Sequence, residues 1–202
     1  MGTDGRLLKG ERTRRTILGR AADIASAEGL EGLSIGRLAT ELRISKSGVF
    51  THFGSKEELQ LATVDRAVEV YREHVVVPAL GVPEGLGRVR AVLAAWQRYQ
   101  REAVFPGGCF FYSAMAEFDA RPGRVRDAVV ASQRRWEDFL ERCLREARDL
   151  GEIDADADVA QLAFELDALC RAGGARAVLC DEPAAYEHAA RAMEARLAAV
   201  AR

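Results

Sequence analysis

Apolar residues in this chain recur three and four positions apart, and no stretch shows a convincing alternation of β-branched residues. A period near 3.6 fits amphipathic helices and a period of 2 fits strands, so the chain reads as all-α. Glycine and proline punctuate it. A first helix, about Arg12–Glu28, carries Ile17, Ala21, Ile24 and Ala25 and ends at Gly29, which takes a left-handed C-cap cheaply. Ser34 caps a short second helix with Ile35, Leu38, Ala39 and Leu42. Ser45 opens a third, with Val49, Phe50 and Phe53 expected inward, and Gly54 breaks it. Ser55 to Glu58 spells a capping box that starts a fourth helix, running to about Val77. Pro78, Gly81, Pro83 and Gly87 mark a boundary, and Gly107-Gly108 reads as a plain break. The remaining helices bring the count to about nine.

Composition sets further bounds. With 202 residues, 49 % apolar and 30 % charged, the chain can bury a core as one large or two small domains. No apolar run approaches the ~20 residues that span a bilayer, and the polar N-terminus lacks a signal-peptide core. Cys109, Cys143, Cys170 and Cys180 stand singly, which reads as reduced thiols in a cytoplasmic protein. His52, His74 and His188 have no ligand partner at helical spacing, so no metal is expected. There is no phosphate-binding glycine loop, nucleophile elbow or zincin signature, so neither an enzyme nor a cofactor is expected.

Net charge is only −2, but it is unevenly spread. Residues 1–60 hold 10 Lys/Arg against 8 Asp/Glu, and Met1–Arg20 alone holds six basic residues against Asp4 and Glu11. A basic arm on an acidic body suits a polyanion at one end, as it also suits a solvated tail.

The second and third helices have helix-turn-helix proportions. With the third packed on the second, Lys46, Ser47, Gly48, Thr51 and His52 are left outward, suited to phosphates and base edges in a major groove. Arg14-Arg15-Thr16-Ile17-Leu18, Ala21-Ala22, Gly29 and Gly32-Leu33-Ser34 resemble the opening of the TetR family of transcriptional regulators. The run from Ile44-Ser45-Lys46-Ser47-Gly48-Val49-Phe50-Thr51-His52-Phe53 through Gly54-Ser55-Lys56-Glu57-Glu58-Leu59 is similar to that family's recognition-helix signature. The turn position that usually holds glycine is Arg43, and the usual tyrosine is Phe50. The stretch from Gly108 to Gly123 resembles the ligand-binding portion of one subgroup.

The resemblance implies an N-terminal three-helix DNA-binding domain over residues 1–54, joined to a C-terminal helical bundle over residues 55–202. It implies a homodimer that represses transcription from palindromic, double-stranded operator DNA until a small molecule binds. Carried over by position, Ser34 and Arg37 lie near the DNA backbone, Lys46, Ser47, Gly48, Thr51 and His52 face the groove, and Lys56 holds a phosphate. Apolar stripes on the last two helices are expected at the dimer interface: Leu162, Leu166, Leu169 and Gly173 with Tyr186, Ala190, Met193 and Leu197. Seven of the 14 aromatics fall in Trp96–Phe118, which suits a core in need of bulk and a ligand cavity alike; the resemblance favours the cavity. The expected lining is Trp96, Tyr99, Cys109, Phe110, Tyr112, Met115, Trp136, Phe139, Cys143, Phe164 and Cys170. With no Lys or Arg on the inward stripes, a mainly apolar effector is expected. A helical small-molecule-processing enzyme with a coincidental N-terminal hairpin, or a ligand-binding bundle without sequence-specific DNA binding, is the alternative.

Overall fold

The computed structural model describes residues 2–202, with side chains from residue 8 onward. The side chains of Asp4 and Arg6, counted in the basic arm, lie outside the described residues. Nine helices run through the described residues, and the one β pairing there is an isolated bridge between Ile153 and Ala201. Helix α1 spans Gly2–Glu28, beginning ten residues before the expected start. No proline interrupts residues 2–11, so helical hydrogen bonding extends past the first core residue, Ile17. A 3-10 turn, Leu30–Gly32, leads into α2 (Ile35–Leu42) and α3 (Lys46–Phe53).

Local chemistry sets these boundaries. The Ser34 hydroxyl accepts from the Arg37 amide at 3.1 Å, and the Ser45 hydroxyl accepts from the Gly48 amide at 3.0 Å. Each satisfies one of the free amides at a helix start. Arg43 ends α2 in the left-handed region, φ 54°, a conformation that costs an L-residue about 1 kcal/mol relative to glycine. The capping box at Ser55 is only half formed. Its hydroxyl accepts from the Glu58 amide at 3.1 Å, but the Ser55 amide donates to the Phe53 carbonyl instead. The Glu58 carboxylate is taken by Arg124 at 2.6 Å.

Helix α4 spans Lys56–Tyr71, continues through a π-helical turn, Arg72–Val76, and ends in a last turn, Val77–Leu80. The sequence placed a boundary at Pro78, yet Pro78 lies within this continuous run. The wider π turn before it removes the demand for an i→i−4 hydrogen bond that proline cannot donate. Helices α5 (Leu86–Arg101), α6 (Phe110–Phe118), α7 (Arg124–Asp149), α8 (Val159–Leu179) and α9 (Ala184–Ala198) follow. Among the described residues, no helix is long and apolar enough to cross a membrane.

The chain divides into two compact units, each discontinuous in sequence. The first takes Met1–Val68 and Phe105–Val130. Its core joins Ile17, Ala21, Ala22, Ile24 and Ala25 of α1 to Leu38, Val49 and Phe53 of the helical hairpin, and to Phe110, Ala114 and Phe118 of α6. The second takes Glu69–Val104 and Ala131–Arg202. Its core joins Val89, Leu93 and Trp96 of α5 to Trp136, Leu140 and Leu144 of α7, and to Leu162, Leu166, Met193 and Leu197 of α8 and α9.

Gly107 is more than a plain break. A Cβ there would fall inside the backbone of Ser26 and Ala27, so only glycine lets this loop lie against the end of α1. The Gly107 amide donates to the buried Ser26 hydroxyl at 3.1 Å.

Candidate functional site

Helix α3 has one turn of choice. Val49 and Phe53, four residues apart, share the buried face and seat it on α2. That fixes what points away. Lys46, Ser47 and Thr51 are exposed, while Gly48 and His52 are half-buried. Phe50, expected inward, is instead 55 % exposed. A helix advances about 100° per residue, so the residue after Val49 is carried off the buried face toward Lys46.

The hydroxyls on this face are already engaged. Thr51 Oγ1 donates to the Ser47 carbonyl at 2.8 Å, and Ser47 Oγ donates to Ser45 Oγ at 3.2 Å. Gly48 presents no side chain, and a Cβ there would press on Ser45 Oγ at 3.0 Å. The His52 carbonyl accepts from Arg14 at 3.0 Å, and the Arg14 guanidinium sits 4.6 Å from the Phe53 ring centroid. Thus α1 clamps the C-terminal end of α3, a role for Arg14 with no local sequence signal.

The basic residues beside the hairpin are pre-paired. Arg37 is held by Glu28 and Glu41, and these hydrogen bonds, Glu28's foremost, push its guanidinium pKa up. The same pairing keeps the Glu28 and Glu41 carboxyls below the ordinary carboxylate range. Lys56 Nζ donates to the Glu31 carbonyl at 2.8 Å and to its carboxylate at 2.9 Å. Lys56 and then Gln60 hydrogen bonds hold the Glu31 carboxyl low. Ser34 serves as the α2 cap and is exposed.

The junction between α1 and α2 is gripped from α6. Glu117 accepts from the Leu30 amide at 2.7 Å and from the Glu31 amide at 2.8 Å, and Gly29 (φ 82°) leaves the room its carboxylate occupies. The buried Gln60 amide donates to the Leu30 carbonyl, and Ser113 donates to that of Ser26. Sequence reading missed Glu117, because a contact 86 residues away leaves no local pattern.

Of the expected effector residues, Trp96, Tyr99, Trp136, Phe139, Cys143 and Cys170 are buried in the second unit. Trp96 and Trp136 meet edge-on at 4.8 Å, and Tyr71 packs 5.3 Å from both Trp136 and Tyr99. Trp136 donates to Asp167 at 2.7 Å, Asp167 pairs with Arg171, and the Arg171 guanidinium lies 5.9 Å from the Trp96 ring. Gln100 donates to Cys170 at 3.4 Å. Arg171 and Arg88 have side chains only 15 % and 13 % exposed, correcting the expectation that no cation lies inward. Tyr71, Asp167 and Arg171 were not among the sequence candidates. Phe110 is buried and Cys109 and Met115 half-buried in the first unit. Tyr112 and Phe164 are exposed, each on the face opposite its helix's buried stripe, and correct the expectation that they point inward.

The stripes expected between protomers are largely covered within the chain. Leu162, Leu166, Gly173, Met193 and Leu197 are buried where α8 crosses α9, and Leu169, Tyr186 and Ala190 are half-buried. Gly173 makes this crossing close: a Cβ there would meet Ala189 Cβ at 2.6 Å. The residues of α8 left exposed are Ala160, Phe164, Ala168, Ala172, Val178 and Leu179, with the polar Gln161 and Arg176 among them. Among the described residues, no group of His, Cys, Asp and Glu could hold a metal ion.

An N-terminal helical hairpin with its second helix presented to solvent has the arrangement of a helix-turn-helix. Residues 17–63 match the model of bacterial regulatory proteins of the tetR family, and residues 85–193 match the tetracycline-repressor-like C-terminal domain. The chain belongs to the TetR family of transcriptional regulators, which are regulators and not enzymes. A TetR regulator from Chloroflexus aurantiacus superposes with a TM-score of 0.89 at 26 % identity, covering 96 % of this chain and 98 % of that one. A TetR-family regulator from Streptomyces coelicolor superposes at 0.81 and 27 % identity, covering 96 % and 97 %. AibR, solved with isovaleryl coenzyme A and operator DNA, shares the fold at 0.68 and 22 % identity, covering 89 % and 94 %. No curated protein matches the chain.

Proposed function

We propose that this regulator is a cytoplasmic repressor that binds palindromic operator DNA as a homodimer and releases it when a mainly apolar small molecule binds the C-terminal domain. The observation that carries the DNA reading is the outward face of α3, where Lys46, Ser47, Phe50 and Thr51 stand exposed on a helix seated by Val49 and Phe53. On this reading residues 1–54 hold the DNA and residues 55–202 hold the effector and the partner protomer. Lys56 and Arg37 exchange carboxylate partners for phosphates on binding. AibR, solved with isovaleryl coenzyme A and operator DNA, is a precedent for DNA and a small molecule bound on this fold.

The exposed apolar face of α8 supports dimerisation. Phe164, Val178 and Leu179 are large apolar side chains that are costly to leave in water. The effector reading rests on the buried aromatic cluster around Trp96 and Trp136, where Asp167 neutralises the Arg171 guanidinium and the contact area is mainly aromatic. Electrophoretic mobility shift with DNA from upstream of the chain's own gene, at several salt concentrations, tests the core reading. Sequence-specific binding lost steeply with salt is expected; sequence-independent or absent binding overturns it. Phe164→Arg with Ala168→Arg should yield a folded monomer in sedimentation, and a persistent dimer refutes the α8 face. A ligand that quenches Trp96 and Trp136 should bind more weakly when operator is present, by the same factor that it weakens operator binding.

A further inference from the structure

The recognition-helix face is unusual in what it offers to a groove. Its largest exposed group is the Phe50 ring, set among Lys46, Ser47 and Thr51. A phenyl ring has no donor for a phosphate and no acceptor for a base amine. The neighbouring hydroxyl protons are committed within the helix, Thr51 to the Ser47 carbonyl and Ser47 to Ser45. These hydroxyl oxygens can still accept, but the largest surface on the face is the apolar Phe50 ring, with a cation, Lys46, one turn before it.

The major groove has one apolar landmark, the 5-methyl group of thymine. The geometry points to Phe50 as a specificity-determining residue that selects a thymine in each operator half-site by packing on that methyl group. This rests on the proposed DNA binding by α3 and adds which base the helix selects and by what chemistry. Lys56, outside the recognition helix, positions the protein by charge and carries no such preference. Selection by Phe50 is of shape and hydration. It discriminates thymine from cytosine, and equally thymine from uracil, which differs only by the missing methyl.

That difference supplies the experiment. The full-length protein selects its preferred duplex from a random-sequence pool, and each thymine of the selected duplex is then replaced singly by deoxyuridine. The expected result is one thymine per half-site whose replacement weakens binding about fourfold, the factor that corresponds to burying one methyl-sized group. Phe50→Ala should bind thymine and uracil duplexes equally. Phe50→Leu, which keeps apolar surface at the position, should retain a uracil penalty. Because Phe50 lies outside the core, both variants should melt as the wild type does. No uracil penalty at any thymine, a penalty that survives Phe50→Ala, or a selected site with no thymine shared by its half-sites overturns the assignment while leaving DNA binding intact. Failure to select any sequence overturns the DNA-binding reading and this assignment together.

Discussion

Removing the Glu117 carboxylate tests how the α1–α2 junction is held. Two backbone amides donate to it, Leu30 at 2.7 Å and Glu31 at 2.8 Å. A hydrogen bond to a charged group is worth about 1.5–3 kcal/mol, and a buried donor left without its acceptor costs in that range. Leu30 is 1 % exposed, so its amide finds no ready replacement, whereas the Glu31 amide is exposed and water takes over. The bond to Leu30 thus dominates, and Glu117→Ala should cost about 2–3 kcal/mol. Glu117→Gln keeps one acceptor oxygen of the same reach and should cost about half as much. Amide hydrogen exchange in the full chain reads this directly: protection of the Leu30 amide should fall by roughly 30–150-fold in Glu117→Ala, at 1.36 kcal/mol per decade. Chemical unfolding followed by far-ultraviolet circular dichroism should shift in the same order. Wild-type protection at Leu30 in Glu117→Ala would refute the reasoning.

Gly107→Ala should destabilise by about 1–3 kcal/mol or more, since its Cβ would land in the Ser26–Ala27 backbone. Gly19→Ala, in the middle of α1 with nothing within 4 Å, should stabilise by up to ~1 kcal/mol; thermal melts of the two variants moving together would contradict the fit. Burial pushes the Cys143 thiol up to about 11, helped by Glu146. At pH 8 a thiol-reactive dye should label exposed Cys180 and spare buried Cys143 and Cys170 until the chain unfolds. A folded-state pKa above the unfolded value of 9.0 stabilises below pH 9, and that contribution is lost as pH rises toward about 11. Stability should therefore fall across that window less steeply in Cys143→Ala, as read from melting temperatures.

What was legible in the sequence was local. Ser34, Ser45 and Gly54 announce helix ends because caps depend on residues three or four apart. Periodicity located the apolar stripe of α8 but not its counterpart: Leu162 and Leu166 are covered by the chain itself, while Phe164, on the other face, is not. Both faces are apolar, so the pattern alone does not say which is internal. Phe50 misled for the reverse reason. A large aromatic beside Val49 reads as core, and only the seating of α3 on α2 reveals its exposure. Pro78 read as a terminus because the π turn that accommodates it has no sequence signal of its own. Arg171 was missed because only its Asp167 partner, four residues back on α8, is local; its burial and its bond to the Gln133 amide oxygen arise once α7 and α8 are side by side.

The grip of Glu117 and Gly107 on the end of α1 also imposes an order of events during synthesis. The acceptor for the Glu31 amide lies 86 residues downstream. At about 5–20 residues per second, the ribosome leaves that junction unlatched for roughly 4–17 s after Glu31 is made. The segment Glu69–Val104, which belongs to the second unit, emerges inside that interval and must itself wait for Ala131–Arg202. The helical hairpin is thus made first and completed late. A stalled or truncated chain ending before α6 would carry a recognition helix whose supporting turn has never been closed.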